Sequence, residues 1–456
     1  MLTWTPSLGT SGKPRYLEIA DAIEAAIRAG EFATGDRLPP QRRMAERLGI
    51  DFTTVSRAYA EAQARGLVDS HVGRGTFVKA AATPQDAPDP RRAREEDLSM
   101  NMPPEPEDPE LIARMREGLQ AVSSNLVALL RYQSATGGEQ DREAASSWLS
   151  MRGMVPRLDR VAVTPGAHVT MTAIFSTLAK PGDRVLCEAV TYAGLRGIAA
   201  RLGLVLVGLP SDGAGILPGA LDEAIARHKP KALYLNPTLH NPTTLTIPQE
   251  RRMAIADVVI AHRLPLVEDD AYGFIPPNAP TPFATLAPEL TWHIGGLAKC
   301  IGAGLRLAYT VAPDARAALA LGQALRAIAV MPAPLSMALA TRWIEDGTAD
   351  SIRRFVRAEA AARQEIAAEV LQGFDFAADR HAFNIWLKLP EGAGRAELMG
   401  RMAGRHVGLM PSDAFTVEGA PEERMRVCLG GAIGREDLRR GLFSLAGRLQ
   451  DGGWVG

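Results

Sequence analysis

The chain has 456 residues, longer than one typical domain, so length alone predicts two to four. Hydrophobic residues make up 46% and charged residues 23%, an ordinary balance for a globular protein with a sizeable core. Three widely spaced cysteines exclude a disulfide framework and lack metal-ligand spacing, whereas the formal net charge of −1 excludes nothing, because a basic module can sit inside a balanced total.

In chain order, Leu17, Ala20, Ile23 and Ile27 recur at helical spacing and Gly30 marks a stop. After the turn ATGDRLPP, the run QRRMAERLGI predicts a short helix with Met44, Ala45 and Leu48 inward and Gly49 at its end. DFTTVSRAYAEAQARG predicts another, capped by Asp51 or Thr53, with Val55, Ala58, Tyr59 and Ala62 as its inner stripe. Two short helices joined at a glycine turn make a helix-turn-helix, whose second helix enters the DNA major groove. LVDSHVGRGTFV then alternates and turns at 73–75, as a small β-wing would. From Arg37 to Lys79 there are eight Lys/Arg against four Asp/Glu, a local excess suited to a phosphate backbone. Arg42, Thr53, Thr54, Ser56 and Arg57 are expected to be exposed near the recognition helix and Arg74 on the wing, as the DNA-contacting set. Arg47 and Arg65 read as solvated surface.

The stretch AAATPQDAPDPRRAREEDL, residues 80–98, is rich in Ala, Pro and mixed charge and reads as a linker. The expected division is a DNA-binding domain over 1–79, this linker, and a large domain over 99–456. Beyond residue 98, strand-like and helix-like runs alternate, which predicts an α/β body with a mostly parallel sheet. In VAVTPGAHVT a strand ends at 164–168 and a helix begins, offering free N–H groups and a partial positive charge to an anion. The last third predicts a small α+β subdomain. HAFNIWLKLP, RHVGLMPSDAF and RMRVCLGGA read as strands, and a final helix carries Leu438, Leu442, Leu445 and Leu449 on one face. No apolar run approaches bilayer length, and the opening residues lack the pattern of a signal peptide, so the expected location is the cytoplasm of a bacterium.

Three apolar runs between Asn241 and Arg306 each end in polar residues. If they are parallel strands, Asn241, Asp269, Tyr272, Lys299 and Arg306 converge at one crevice. A lysine in a dry pocket loses its proton readily and can form a Schiff base with an aldehyde. A carboxylate facing a pyridine nitrogen keeps that nitrogen protonated, the arrangement expected around pyridoxal 5'-phosphate (PLP). Asparagine and tyrosine can bond a ring hydroxyl, and an arginine fork grips a phosphate.

NPT at 241–243, D-x-A-Y at 269–272, and Lys299 with Arg306 resemble the fold type I (class I/II) aminotransferases. The resemblance implies a PLP cofactor held as an internal aldimine on the catalytic Lys299. It implies that Asp269 pairs with the ring nitrogen and that Asn241 and Tyr272 bind the ring oxygen. Ala167, His168 and Arg306 would hold the phosphate, and Tyr192 would stack on the ring. Tyr132 would reach the partner subunit's phosphate, and Arg426 would bind the α-carboxylate of a substrate or effector. The segment LPPQRRMAERLGIDFTTVSRAYAEAQARGLVDSHVGRGTFV is similar to the winged helix of GntR-type regulators. Together the two resemblances identify the chain as a member of the MocR subfamily.

Membership implies a head-to-tail homodimer on double-stranded operator DNA, with no membrane association, that senses PLP, an amine or an amino acid through Lys299. The alternatives are an active aminotransferase with a fused head, in which Lys299 is the proton-transfer base, and a PLP-free body that only dimerises. Three departures from the family pattern stand out. Gly296 and Ala298 replace serines, Thr244 replaces the glycine of NPTG, and Asn384 stands where histidine is frequent. They preserve cofactor binding and point away from efficient transamination.

Overall fold

A computed structural model of the chain describes residues 4–6, 13–33, 35–71, 75–79, 99–402 and 407–450. The chain divides into two compact units, Met1–Glu95 and Glu96–Gly456. The expected linker, residues 80–98, and Arg74 lie outside the described residues.

The first unit contains α1 (Arg15–Arg28), α2 (Gln41–Leu48) and α3 (Phe52–Ala64), then a hairpin of β1 (Val68–His71) and β2 (Gly75–Val78). Gly49 ends α2 at φ +63, a left-handed turn that glycine makes without the Cβ clash other residues meet. Asp51 caps α3 by accepting the Thr53 amide at 2.7 Å; Thr53 itself is not the cap. The predicted stripe Val55, Ala58, Tyr59 and Ala62 is buried against Ile19, Ile23, Leu38 and Met44. The Tyr59 hydroxyl donates to the Pro39 carbonyl at 2.7 Å, locking the α3 core to the turn before α2. Arg65 corrects the expectation of a solvated face. It is partly buried and pairs with Asp21 at 2.7 Å, Glu61 at 2.9 Å and Glu24 at 3.2 Å, so it ties α3 to α1.

The second unit is built on a seven-stranded sheet. Its strands are β3 (Val161–Thr164), β4 (Arg184–Glu188), β5 (Val205–Leu209), β6 (Ala232–Leu235), β7 (Leu266–Asp269), β8 (Thr291–Gly296) and β9 (Ala308–Val311). The order is β3–β9–β8–β7–β6–β4–β5. Only β9 runs against its neighbours, so the sheet is mixed with six strands sharing one direction. Strands covered on both faces must be apolar throughout, and β3, β6, β7, β8 and β9 are buried at every position. Buried polar residues in such strands stand out, and Asn236 and Asp269 lie just past and at the carboxyl ends of β6 and β7.

Helices α4 (Ala167–Leu178) and α5 (Ala193–Leu202) follow β3 and β4. The 23-residue α6 (Thr348–Val370) joins two cores: Ile352 and Val356 pack under the large sheet, and Ile366 and Val370 pack under the subdomain. The subdomain sheet contains β10 (Asn384–Lys388), β11 (Gly408–Pro411) and β12 (Arg424–Cys428), with β12 central and all pairings antiparallel. Its cover, α7 (Arg435–Gln450), buries Leu438, Leu442, Leu445 and Leu449 as the sequence pattern predicts.

The Asp51 cap yields a stability test. Asp51→Ala should loosen the first turn of α3, because the Thr53 amide loses its acceptor. The loss would be read as faster amide hydrogen exchange in the first turn of α3, with α6 and α7 unchanged.

Candidate functional site

At the carboxyl ends of β6, β7 and β8 lies a cavity of about 280 Å³, near the small end of ligand pockets. It is lined by nine of the residues singled out from sequence: Ala167, His168, Tyr192, Asn241, Asp269, Tyr272, Lys299, Arg306 and Arg426. Tyr132 is not among them; its side chain is 86% exposed.

Asp269 is the last residue of β7, where strand alternation turns it toward the cavity and Glu268 toward the opposite face. Glu268 there accepts the Phe283 amide at 2.8 Å and faces His293 at 2.9 Å. The Asp269 Oδ2 accepts from the Tyr234 hydroxyl at 2.9 Å. Its Oδ1 is buried without a partner among the described residues. Burial pushes this carboxyl up to about 6, and the Tyr234 hydrogen bond opposes the rise. An orphaned carboxylate oxygen in a dry cavity is a vacant acceptor for a cationic N–H.

Lys299 lies just past β8. Burial, reinforced by the nearby Arg426 guanidinium, draws its amine down to about 8. Its Nζ donates to the Asn101 carbonyl at 2.5 Å. The Tyr272 hydroxyl is buried and accepts from Asn101 Nδ2 at 2.8 Å. Asn241 receives Arg426 Nη1 on its Oδ1 at 2.8 Å and donates its own amide to Asn236 Oδ1, also at 2.8 Å. Arg426 is buried and stacks 5.1 Å over Phe415. Its Nη2 donates to the Ser99 carbonyl at 2.5 Å, and its Nε has no partner among the described residues.

The anion end of the cavity is the start of α4. Gly166 precedes the helix at φ +85, and a Cβ there would stand 3.4 Å from Arg306 Nη2. The guanidinium thus lies against the turn that leads into α4, whose first N–H groups are free of helix partners. Arg306 itself holds φ +52, a left-handed backbone costing a non-glycine residue about 1–2 kcal/mol. Burial, then the Arg306 charge, lowers the His168 pKa, so that imidazole stays neutral beside the guanidinium. Tyr192 caps α5 half-buried, its ring folded over Gly194 where a Cβ would clash at 2.3 Å.

Four residues of this constellation were not foreseen: Tyr234, Asn236, Glu188 and Asn101. Tyr234 and Asn236 alternate along the run KALYLNP, so one face of that strand end is polar, a usable signal. Asn236 Nδ2 donates to the Asp269 carbonyl at 2.7 Å and fixes the β6–β7 spacing. Glu188, at the end of β4, accepts from the Asn236 amide at 3.0 Å and the Thr191 hydroxyl at 2.9 Å; burial raises its carboxyl to about 7. Asn101 carried no signal, since it follows a linker-like stretch with no motif of its own.

On the head, Arg42, Thr53 and Arg57 are exposed, while Thr54 and Ser56 are half-buried rather than exposed as expected. Each sits one helix position from a core residue, Val55, and shares its shelter. Arg57 stacks 4.1 Å over the Tyr16 ring, which holds its side chain in one orientation.

Comparison with known proteins agrees with both units. The family model for aminotransferase class I and II matches residues 96–445, and the model for bacterial regulatory proteins of the gntR family matches residues 15–78. The chain is 27% identical to the uncharacterised HTH-type transcriptional regulator YdeF of Bacillus subtilis, over 99% of this chain and 97% of that one. It is 26% identical to the HTH-type transcriptional regulator TauR of Rhodobacter capsulatus, covering 94% and 95%. Among solved structures, LysN, the α-aminoadipate aminotransferase of Thermus thermophilus complexed with N-(5'-phosphopyridoxyl)-L-leucine, superposes with a TM-score of 0.69 at 24% identity. That match covers 78% of this chain and 92% of LysN, and it shows the shared fold. The chain thus belongs to the aminotransferase class I and II family, whose fold type I domains typically bind PLP, and it joins that domain to a GntR-type head as MocR-type transcription regulators do.

Proposed function

We propose that the body of this regulator holds PLP on Lys299 and reports an amine, an amino acid or a B6 vitamer to operator DNA bound by the head. One observation carries the reading. A lysine drawn down to about 8, a buried carboxylate with a vacant oxygen and an arginine beside a helix N-terminus surround one cavity. The residues fit the cofactor part by part. Asp269 Oδ1 would receive the ring N–H, and Arg306 with the amides at Ala167 and His168 would hold the phosphate. Tyr272 and the remaining amide donor of Asn241 would meet the ring oxygen, and Tyr192 would cover the ring. Bound there, PLP supplies an aldehyde that condenses with primary amines and a ring that draws electrons. Arg426, with its unpartnered Nε, would orient a ligand carboxylate. The operator-binding set is Arg42, Thr53, Thr54, Ser56 and Arg57, together with Arg74.

A second copy of the chain would cover the stretch around Val127, Leu130 and Tyr132, which are 74%, 70% and 86% exposed. So much apolar surface in one short segment supports an interface there, and Tyr132 would meet the partner's site. We read the assembly as a head-to-tail homodimer, whose symmetry would match paired half-sites.

Three experiments test this function. Adding PLP should produce a visible absorbance band that Lys299→Ala abolishes, and the rate should rise with pH to a midpoint near 8, where the Lys299 amine becomes neutral. A colourless protein would remove the receptor, and a midpoint near the ordinary lysine value would remove the activated amine. Binding to the gene's own upstream DNA should shift when PLP and candidate amines are added. Arg42→Ala should weaken that binding equally on all sequences, with the salt slope falling by about one. Unchanged affinity at saturating ligand would sink the coupling. Leu130→Glu should convert a dimer to a monomer in sedimentation; a wild-type chain already monomeric at micromolar concentration would rule the assembly out. Multiple turnover with a keto-acid acceptor would favour the aminotransferase reading instead.

A further inference from the structure

Residues 99–104 are the first described residues after 80–98, the stretch that joins the two units in sequence, and two of them, Met100 and Asn101, line the cavity. Their anchors are of two kinds. The first kind uses groups that a ligand needs. The Ser99 carbonyl accepts from Arg426 Nη2 at 2.5 Å and from the Cys428 thiol at 3.6 Å, and the Asn101 carbonyl accepts from Lys299 Nζ at 2.5 Å. Between them Met100 lines the cavity, 53% exposed. The second kind does not involve the ligand-binding cations. Asn101 is buried, and its Nδ2 donates to the Tyr272 hydroxyl at 2.8 Å and to Asn384 Oδ1 at 3.1 Å. Asn384 is held in turn by donating to the Pro242 carbonyl at 2.7 Å. The Pro103 carbonyl accepts from the Gly431 amide at 3.2 Å. The Met102 carbonyl passes so close to Gly430 that a Cβ there would lie 1.7 Å away.

We propose that Ser99–Asn101 is a ligand-displaced strap. Its two backbone carbonyls hold, on Arg426 and Lys299, the places that a ligand carboxylate and the cofactor would take. The inference rests on the cofactor reading above and adds to it the element that moves. A neutral carbonyl on a guanidinium is a weaker partner than a carboxylate, which binds with charge and two oxygens. A carboxylate arriving at Arg426 therefore evicts Ser99. A lysine nitrogen tied up by the cofactor no longer donates to Asn101. The Asn101 side chain, gripped by Tyr272 and Asn384, stays and acts as the pivot. The freed portion is Ser99–Met100, the end that continues into the linker. Differential contacts of this kind are what allow a ligand to shift an equilibrium. Because the Arg426 and Lys299 anchors must both be released, the strap responds most strongly to a carboxylate-bearing ligand on the cofactor-loaded protein.

The Met102 amide donates to the Met100 carbonyl at 2.8 Å, so opening of the strap exposes that amide. The test is hydrogen exchange of the peptide spanning 99–104 in the full-length chain. It is measured alone, with PLP, and with PLP plus maleate, a dicarboxylate lacking an amine; cofactor absorbance is recorded on the same samples. Exchange at Met102 should rise about tenfold with PLP plus maleate, the scale of one lost charge-assisted hydrogen bond. In Arg426→Gln it should be raised already, and maleate should add nothing. Bound cofactor with unchanged exchange in wild type overturns the strap and leaves the cofactor reading standing. Faster exchange across the whole body also overturns it. Absence of the cofactor band overturns the cofactor reading and the strap with it.

Discussion

The site depends on one constraint: an amine and a carboxyl are kept in a water-poor crevice without being allowed to neutralise each other directly. Lys299 spends its hydrogen bond on the Asn101 carbonyl, and Asp269 takes the Tyr234 hydroxyl. Each group is then pushed toward its neutral form by burial, the amine down to about 8 and the carboxyl up to about 6. A direct ion pair would have held both charged and unreactive. The parallel sheet enforces the separation, because Asp269 ends β7 while Lys299 lies beyond the end of β8, in the next loop.

Around that pair the polar residues form a continuous frame. Asn236 ties β6 to β7 through the Asp269 carbonyl, and it positions Asn241 by accepting its amide. Asn241 passes the connection to Arg426 on β12, and Asn101 links Tyr272 to Asn384 on β10. The large sheet and the subdomain are therefore joined through the cavity by side chains that a ligand would also touch. Breaking one member leaves its partner buried and unsatisfied, which costs more than the bond itself contributed. This is why the subdomain cannot be regarded as a passive cover.

Much of this was legible in the residues. The head's caps and stripes follow local rules, so Gly49, a cap at Asp51 or Thr53, and the Val55–Ala62 stripe could be placed from the sequence, and the fold decides for Asp51. The body's motifs were legible because buried polar residues at strand ends are rare and conspicuous. What escaped was non-local. Asn101 enters the site from a segment 198 residues before Lys299, and only the folded chain brings the two together. Thr54 and Ser56 were misjudged because helical spacing alone does not tell how deep a neighbour's shelter extends. Arg65 escaped because its three acidic partners lie on two different helices.

The departures from the family pattern can be weighed against this geometry. A Cβ at Gly296 would meet nothing closer than 3.8 Å, so space does not explain the missing serine; a hydroxyl there would fit. Without it, the donors left at that end of the cavity are the α4 amides and Arg306, whose backbone holds φ +52. Thr244 likewise adopts φ +64, where the family's glycine would be relaxed, and it is buried with its amide on the His240 carbonyl at 2.6 Å. Asn384 replaces a titratable ring with an amide that can only bridge, and it bridges Asn101 to Pro242. These substitutions spare the groups that would tether and orient a ligand while thinning those that would grip the cofactor's phosphate.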